Sequence, residues 1–435
     1  MAKTLQSLKV TMNGFLVGTL TKQTSGVLSF QYDQNWLQLP GTRPISLSLP
    51  LTDQKYIGNI VYNFFDNLLP DNPRTRARIQ TKFQSITAQP FDLLASIGKD
   101  CIGAIQLSSG EKPFIKQVNA RPLNKKTIVS LLKNFRDAPL GMIDNKDDFQ
   151  ISIAGTQEKS AFLFYRKKWC RPFNATPTSH IFKLPIGFIE HQNIDLTESC
   201  ENEWLCTQIA KAFKLPVANA TIQHFNDVKA LIVERFDRQW SKDEKWLMRL
   251  PQEDICQALG MSPNLKYEED GGPGIIKIME LLIGSKNALA DRELFFRSQV
   301  LFFLLAAIDG HAKNFSLFIE SSGNYHLTPL YDILSAYPLI ASNQLQKQKI
   351  KMAMALTGKN KQYHWNKIQR RHFISTAKAA KFSLRKTDEI LEEMLDQIDS
   401  VINIVSLQIP PHFPEHIAHS IFTGMRQVKK KLVKI

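Results

Sequence analysis

Along the first hundred residues, apolar and polar positions alternate in short runs, the period of half-buried strands. Residues 8–21 alternate around Asn13-Gly14, a dipeptide that favours the turn of a two-residue hairpin. Residues 44–51 (PISLSLPL) alternate again, which predicts another strand. A helical stretch opens at 62–69 (YNFFDNLL) and contains a basic face, Arg74, Arg76 and Arg78. Residues 108–125 are polar and contain proline, and read as a junction. Strands and helices then mix up to residue 255. The stretches 149–154 and 160–164 are strand-like and flank Gly155-Thr156-Gln157. Residues 180–184 (HIFKL) form a short apolar strand with one lysine inside it, 199–213 has helical periodicity, and 230–236 (ALIVERF) reads as a buried strand. Beyond 255 helix dominates. The one expected interruption is a hairpin over 315–331, where FSLFI and YHLTPLY bracket Ser-Ser-Gly-Asn.

Composition adds globularity and charge. The chain has 435 residues, 43% hydrophobic and 22% charged, which excludes a disordered or collagen-like polymer and leaves room for two or three domains. Lys and Arg number 55 against 40 Asp and Glu, a net charge of +15. A polyanionic partner follows: nucleic acid, a phosphorylated ligand or an anionic surface. Five cysteines, Cys101, Cys170, Cys200, Cys206 and Cys256, show no Cys-x-x-Cys spacing. A disulfide framework or zinc site is not expected, and a reducing compartment fits. The first residues lack the apolar core of a signal peptide. The longest apolar run, 300–308, is far shorter than the ~20 residues a membrane helix needs. The expectation is a soluble, cytoplasmic protein.

The strongest chemical signal is 309–314 (DGHAKN), directly after that apolar run and followed by the hairpin and Tyr331-Asp332. Phosphoryl transfer needs few protein groups, because catalysis is mostly positioning and charge neutralisation. An aspartate orients or deprotonates the attacking hydroxyl, and an Asn and a second Asp hold magnesium on the phosphates. Kinase catalytic loops place the Asn five residues after the base and the metal-binding Asp after a short hairpin. Asn314 stands five after Asp309, and Asp332 follows the hairpin. In isolation Asp309 and Asn314 would be a turn and a cap; the flanking pattern favours the kinase reading.

Other kinase parts can then be sought. Lys183 is a lone lysine in an apolar strand. It either faces solvent from an edge or is buried with an anionic partner, for which Glu203 or its neighbour Glu201 on the following helix is the candidate. The loop 152–159 (SIAGTQEK) has only Gly155 and does not match G-x-G-x-x-G. Its amides with Thr156, Gln157 and Lys159 could cradle phosphate, or it is an ordinary hairpin. Glu234-Arg235-Phe236 falls where a hinge between lobes would lie, its backbone reading adenine; a plain strand end is the other reading. Residues 342–386 hold twelve Lys or Arg and no acid. Such a run is either a solvated face or a phosphate-facing patch with salt-dependent affinity.

These segments resemble one family. FFDNLLPD (64–71), QPFDLL (89–94), SIAGTQEK (152–159), HIFKLPIG (180–187), VERFDR (233–238), RLPQEDICQALG (249–260), KYEEDGGPGI (266–275), DGHAKNFSLF (309–318) and LTPLYDILSAYP (327–338) run in order as in the HipA toxins, serine/threonine kinases of bacterial type II toxin–antitoxin pairs. The resemblance implies an α+β, two-lobed protein-kinase-like fold with an extra N-terminal β-rich subdomain (1–110), a kinase N-lobe (111–255) and an all-helical C-terminal lobe (256–435). It implies ATP and Mg2+ as cofactors, Asp309 as catalytic base, and Asn314 and Asp332 as magnesium ligands. ATP would be bound by Ala154, Gly155, Thr156, Gln157, Glu158, Lys159, Lys183, Glu234, Arg235, Phe236, His311, Lys313 and Tyr331. Thr156 departs from the usual A-G-A-Q-E-K loop of the family. Ser152 matches the serine that the family autophosphorylates, with loss of ATP binding expected. A helix-turn-helix antitoxin dimer would tether the toxin to operator DNA, which Lys378 and Lys381 would touch, and glutamyl-tRNA synthetase would be the target. Two other classes stay open. One is a small-molecule kinase of the aminoglycoside phosphotransferase type, though the histidine usual two residues before its base is Ala307 here. The other is a catalytically inactive corepressor.

Overall fold

Asn13 and Gly14 take φ angles of 45° and 81° and close the expected hairpin between strands Gln6–Met12 and Phe15–Lys22. The structure, a computed structural model, describes residues 6–110, 115–133 and 159–432. The hairpin belongs to a five-stranded antiparallel sheet, whose remaining strands are Leu28–Tyr32, Tyr56–Ile57 and Ile105–Ser108. A register shift between Val10 and Thr11 marks a bulge, opposite Gly18. A Cβ at Gly18 would lie 2.4 Å from the Gln31 carbonyl oxygen, so only glycine fits there. Helices Asn59–Asp66 and Pro90–Ile97 cover the sheet. Val10, Leu20, Phe30, Phe65 and Leu94 meet in one core.

The alternation at 44–51 does not make a strand. The segment is a turn with an isolated bridge between Ser46 and Leu49. Pro44 and Pro50 remove two donors from any ladder, and the serines bond elsewhere. The Ser46 and Ser48 hydroxyls both donate to the Gln257 carbonyl, at 3.2 and 2.7 Å.

The chain forms two compact units, each assembled from separated stretches. The first is Met1–Leu184 with Gln223–Asn264 and Ser316–Tyr325; the second is Pro185–Ile222, Leu265–Phe315 and His326–Ile435. In the first, strands Val228–Glu234, His180–Lys183, Lys159–Tyr165, Lys168–Pro172 and Ala120–Pro122 are successive neighbours in a second sheet. In the second, helix Ala288–Leu304 is buried along most of its length by Phe295, Phe296, Val300, Leu301, Phe302 and Phe303. Phe373 of helix Arg370–Ala379 packs on Phe303 at 5.5 Å. A hairpin of Lys351–Thr357 and Lys361–His364 adds strands that the helix-dominated pattern after 255 does not foresee. Its Met- and Ala-rich sequence has weak strand propensity. Among the described residues no helix is long and apolar enough to cross a membrane. All five cysteines are free and buried.

Candidate catalytic loop and phosphate-facing strands

Asp309 lies in the turn that follows the buried helix. The helix cannot continue there: Ala306 takes a φ of 47°, the left-handed conformation that ends helices. Gly310 is needed for space, since a Cβ would sit 2.2 Å from the Phe302 ring. The chain then makes a short 3-10 turn, Ala312–Asn314, which buries His311, Lys313 and Asn314 while Asp309 stays exposed.

The later motif returns to this loop. The Asn314 side-chain amide donates to the Asp332 carbonyl at 3.4 Å, and the Tyr331 hydroxyl donates to the Lys313 carbonyl at 2.8 Å. Asp332 itself holds a φ of 57°, a conformation that Asp tolerates better than most residues. Asn202, on helix Ser199–Ala212, clamps the segment after it. The Asn202 amide donates to the Ser335 carbonyl and its side-chain oxygen accepts the Ser335 N–H, both at 2.8 Å. Glu201 and Glu203 are buried on the same helix.

Three features of this site are visible only in the structure. Asn202 is one. The second is Tyr267, whose hydroxyl donates to the Asp309 carboxylate and whose ring packs edge-on against His311 at 5.0 Å. The third is the Asn314 side-chain oxygen, which is buried with no hydrogen-bond partner among the described residues. Such an acceptor, beside the Asp332 backbone, suits a hard cation. A carboxylate and an amide oxygen, with phosphate oxygens and water completing the shell, are magnesium chemistry.

In the first unit, Lys183 does not face solvent from an edge. Its strand is interior, between Val228–Glu234 and Lys159–Tyr165, and the side chain is buried. Lys159 is opposite it in register. Arg235 is engaged within the protein through both its backbone and its side chain. Its N–H donates to the Ser179 carbonyl at 2.9 Å and its carbonyl accepts from Arg238 at 3.2 Å. Its guanidinium is buried against Asp237 and Asp100, which also bind Arg238, while Arg249 binds Asp100 at 3.1 Å. This network pins residues 235–238 to Asp100 of the N-terminal region. Ser152, Ala154, Gly155, Thr156, Gln157 and Glu158 lie outside the described residues.

A family model described as the HipA-like C-terminal domain matches residues 151–402, and one described as the HipA N-terminal domain matches 8–108. The chain belongs to the HipA family. A putative kinase Y4mE of Sinorhizobium fredii is 32% identical to it over 343 residues, 77% of this chain and 79% of the relative. A serine/threonine-protein kinase toxin HipA of Shewanella oneidensis is 28% identical over 346 residues, covering 77% and 76%. A solved Shewanella oneidensis complex of HipA, HipB and operator DNA matches with a TM-score of 0.81 at 23% identity, over 98% of this chain and 97% of that one. At that identity the likeness is one of fold, and it establishes the kinase-like α+β architecture. With relatives that are kinases by name, this HipA-family chain is a kinase.

The basic run of this HipA-family chain is partly neutralised by acids from elsewhere. Lys351 pairs with Glu269, Lys361 with Glu268, Arg370 with Asp388 and Glu392, Arg385 with Glu389, and Lys386 with Glu293. Lys378 and Lys381 are exposed, and no ion pair within the described residues engages them.

Proposed function

We propose that this chain is a serine/threonine protein kinase toxin, transferring the γ-phosphate of ATP to a serine hydroxyl of a target protein. The orphaned Asn314 oxygen carries the reading. A buried acceptor left without a partner costs ~1–3 kcal/mol, and a loop that keeps one next to Asp332 is suited to a cation. Magnesium, when bound, neutralises charge on the phosphate oxygens; Asn314 and Asp332 would hold it.

Asp309 would accept the proton of the attacking hydroxyl. His311 and Lys313 would lie beside the phosphates, and Tyr331 supports the loop through the Lys313 carbonyl. Lys183 and Lys159 would contact phosphate oxygens, with the backbone of 154–158 as the cradle. Adenine would be read by Glu234 and Phe236, Arg235 being committed to the ion network. Phosphate on Ser152 would add roughly −1.5 to −2 charges to a loop that binds phosphate, and so switch the enzyme off. The solved complex of a HipA with HipB and operator DNA supports antitoxin and DNA partners; the antitoxin would be a helix-turn-helix dimer that tethers the toxin to operator DNA, with Lys378 and Lys381 on the DNA backbone. Glutamyl-tRNA synthetase is the proposed target, and the five free cysteines suit a cytoplasmic setting.

The test is direct. The purified chain is incubated with labelled ATP, magnesium and glutamyl-tRNA synthetase, and phosphoserines are mapped by mass spectrometry. Label is expected on the target and on Ser152, and none with Asp309→Asn. An unlabelled target rejects that substrate; absence of any phosphorylated protein rejects the kinase toxin.

A further inference from the structure

Asp309 is exposed, and an exposed carboxylate ordinarily turns about its side-chain bonds. The Tyr267 hydroxyl restrains it by donating to Asp309 Oδ1, from 42 residues earlier in the chain. The mounting of Tyr267 explains why this contact is firm. On one side, the Ala312 N–H donates to the Lys266 carbonyl at 3.1 Å, tying this segment to the catalytic loop. On the other, Glu268 accepts the Ala355 N–H at 2.7 Å and pairs with Lys361 at 2.8 Å. The Tyr267 carbonyl accepts N–H groups of Asp270 and Gly272 at 3.2 and 2.9 Å. That turn demands its glycines: Gly271 has a φ of 97° and a Cβ at Gly272 would lie 2.1 Å from the Leu265 carbonyl oxygen. The ring's contact with His311 fixes its tilt. The hydroxyl is therefore held in place by its own segment.

A general base takes its proton along one direction, and fixing its geometry beforehand removes an entropic cost from the transfer step. We propose that Tyr267 is a positioning residue for phosphoryl transfer: its hydroxyl fixes the Asp309 carboxylate through Oδ1 and presents Oδ2 to the acceptor hydroxyl. This rests on the reading of Asp309 as the base. The opposite role, a tyrosine hydroxyl that occupies the acceptor's place and must leave, sits poorly with a side chain anchored on both flanks.

Tyr267→Phe removes one oxygen and keeps the ring on His311. Transfer from labelled ATP to the chain's own serines and to dephosphorylated casein is expected to fall roughly 10- to 100-fold in kcat. The KM for ATP and the melting temperature should stay at wild-type values, which a merely structural tyrosine would not leave alone. Unchanged kcat overturns the proposal, and a rise in kcat overturns it in favour of the blocking role. If Asp309→Asn keeps wild-type turnover, the base assignment falls instead, so the two failures are distinguishable. Crystal structures of both chains give a reading independent of turnover. The Asp309 carboxylate should lose its single orientation in Tyr267→Phe; if it stays where it is, the proposal is wrong.

Discussion

Lys159 and Lys183 stand directly opposite each other on neighbouring antiparallel strands, and both are buried, with 8% and 4% of their surface exposed. Opposite residues project to the same face, with Cβ atoms about 4.5–5.5 Å apart, where like charges repel. A sheet that keeps two ammonium groups so placed concentrates positive potential on one face, which favours an anion as charged as a nucleotide triphosphate.

The first prediction follows. Lys183→Met should abolish the rise in melting temperature that ATP gives the wild type, since ligand stabilisation vanishes with affinity. The shift is taken from each protein's own nucleotide-free melting temperature, so a change in the variant's intrinsic stability does not enter it. Differential scanning fluorimetry with and without ATP reads it. An undiminished ATP shift would remove Lys183 from the phosphate site.

The second concerns the cation. Among the described residues the Asn314 side chain gives the fold one long hydrogen bond, 3.4 Å to the Asp332 carbonyl, and its oxygen has none. Asn314→Ala should leave the nucleotide-free melting temperature within a few degrees of wild type, and cut magnesium-dependent transfer by roughly 100-fold or more, the scale of losing a group that stabilises transition-state charge. Chelating magnesium from the wild type should reproduce the loss. A variant as active as the parent would exclude Asn314 from the metal site.

Local patterns were readable in the chain because they depend on near neighbours. Asn13-Gly14, the strand of Lys183 and the helix of Glu203 all stand where their periodicity predicts. The spacing from Asp309 to Asn314 and on to Asp332 was readable too, because a hairpin folds it back on itself. What was hidden depends on long-range partners. The alternation at 44–51 carries a strand's period, yet its hydroxyls serve Gln257, about two hundred positions later. Arg235 looks like any hinge residue until Asp100 is placed beside it. The register of Lys159 against Lys183 spans another strand, Lys168–Pro172. Tyr267 could have been suspected only from Asp270-Gly271-Gly272, a turn signal close behind it.

The basic run illustrates the same point and gives a third prediction. Acid-free in sequence, it meets Glu268, Glu269, Glu293 and acids of the next helix in space. Charges already paired release few counterions from DNA; exposed Lys378 and Lys381 release more. Replacing both with alanine should weaken operator binding by the toxin–antitoxin complex and flatten log affinity against log salt by about 2. The paired control, Lys351→Ala with Lys361→Ala, should leave that slope alone. Fluorescence anisotropy across a potassium chloride series measures it, and equal slopes for the two double variants would refute the assignment.

The last prediction is a pH profile of stability with two arms of different origin. Burial opposes the charged forms of Asp100 and Asp237, but their buried arginines outweigh it and hold both carboxyls well below the usual range. A folded-state value below the unfolded one gives stability that is present above about pH 4 and lost as protons bind on further acidification. Glu253 behaves oppositely. Burial pushes its carboxyl up to about 8. One oxygen accepts the Leu47 N–H at 2.8 Å while the other is buried with no hydrogen-bond partner among the described residues. The folded chain therefore keeps a proton that the unfolded chain releases above about pH 4.3, so this group erodes stability as pH rises from there to about 8. Glu253→Gln keeps the acceptor for Leu47 and cannot ionise. It should match the wild type near pH 4 and exceed it at pH 8 by several kcal/mol, at ~1.36 kcal/mol per pH unit between the two values. Urea unfolding at the two pH values is the measurement, and an equal difference at both would show that Glu253 does not hold its proton in the folded chain.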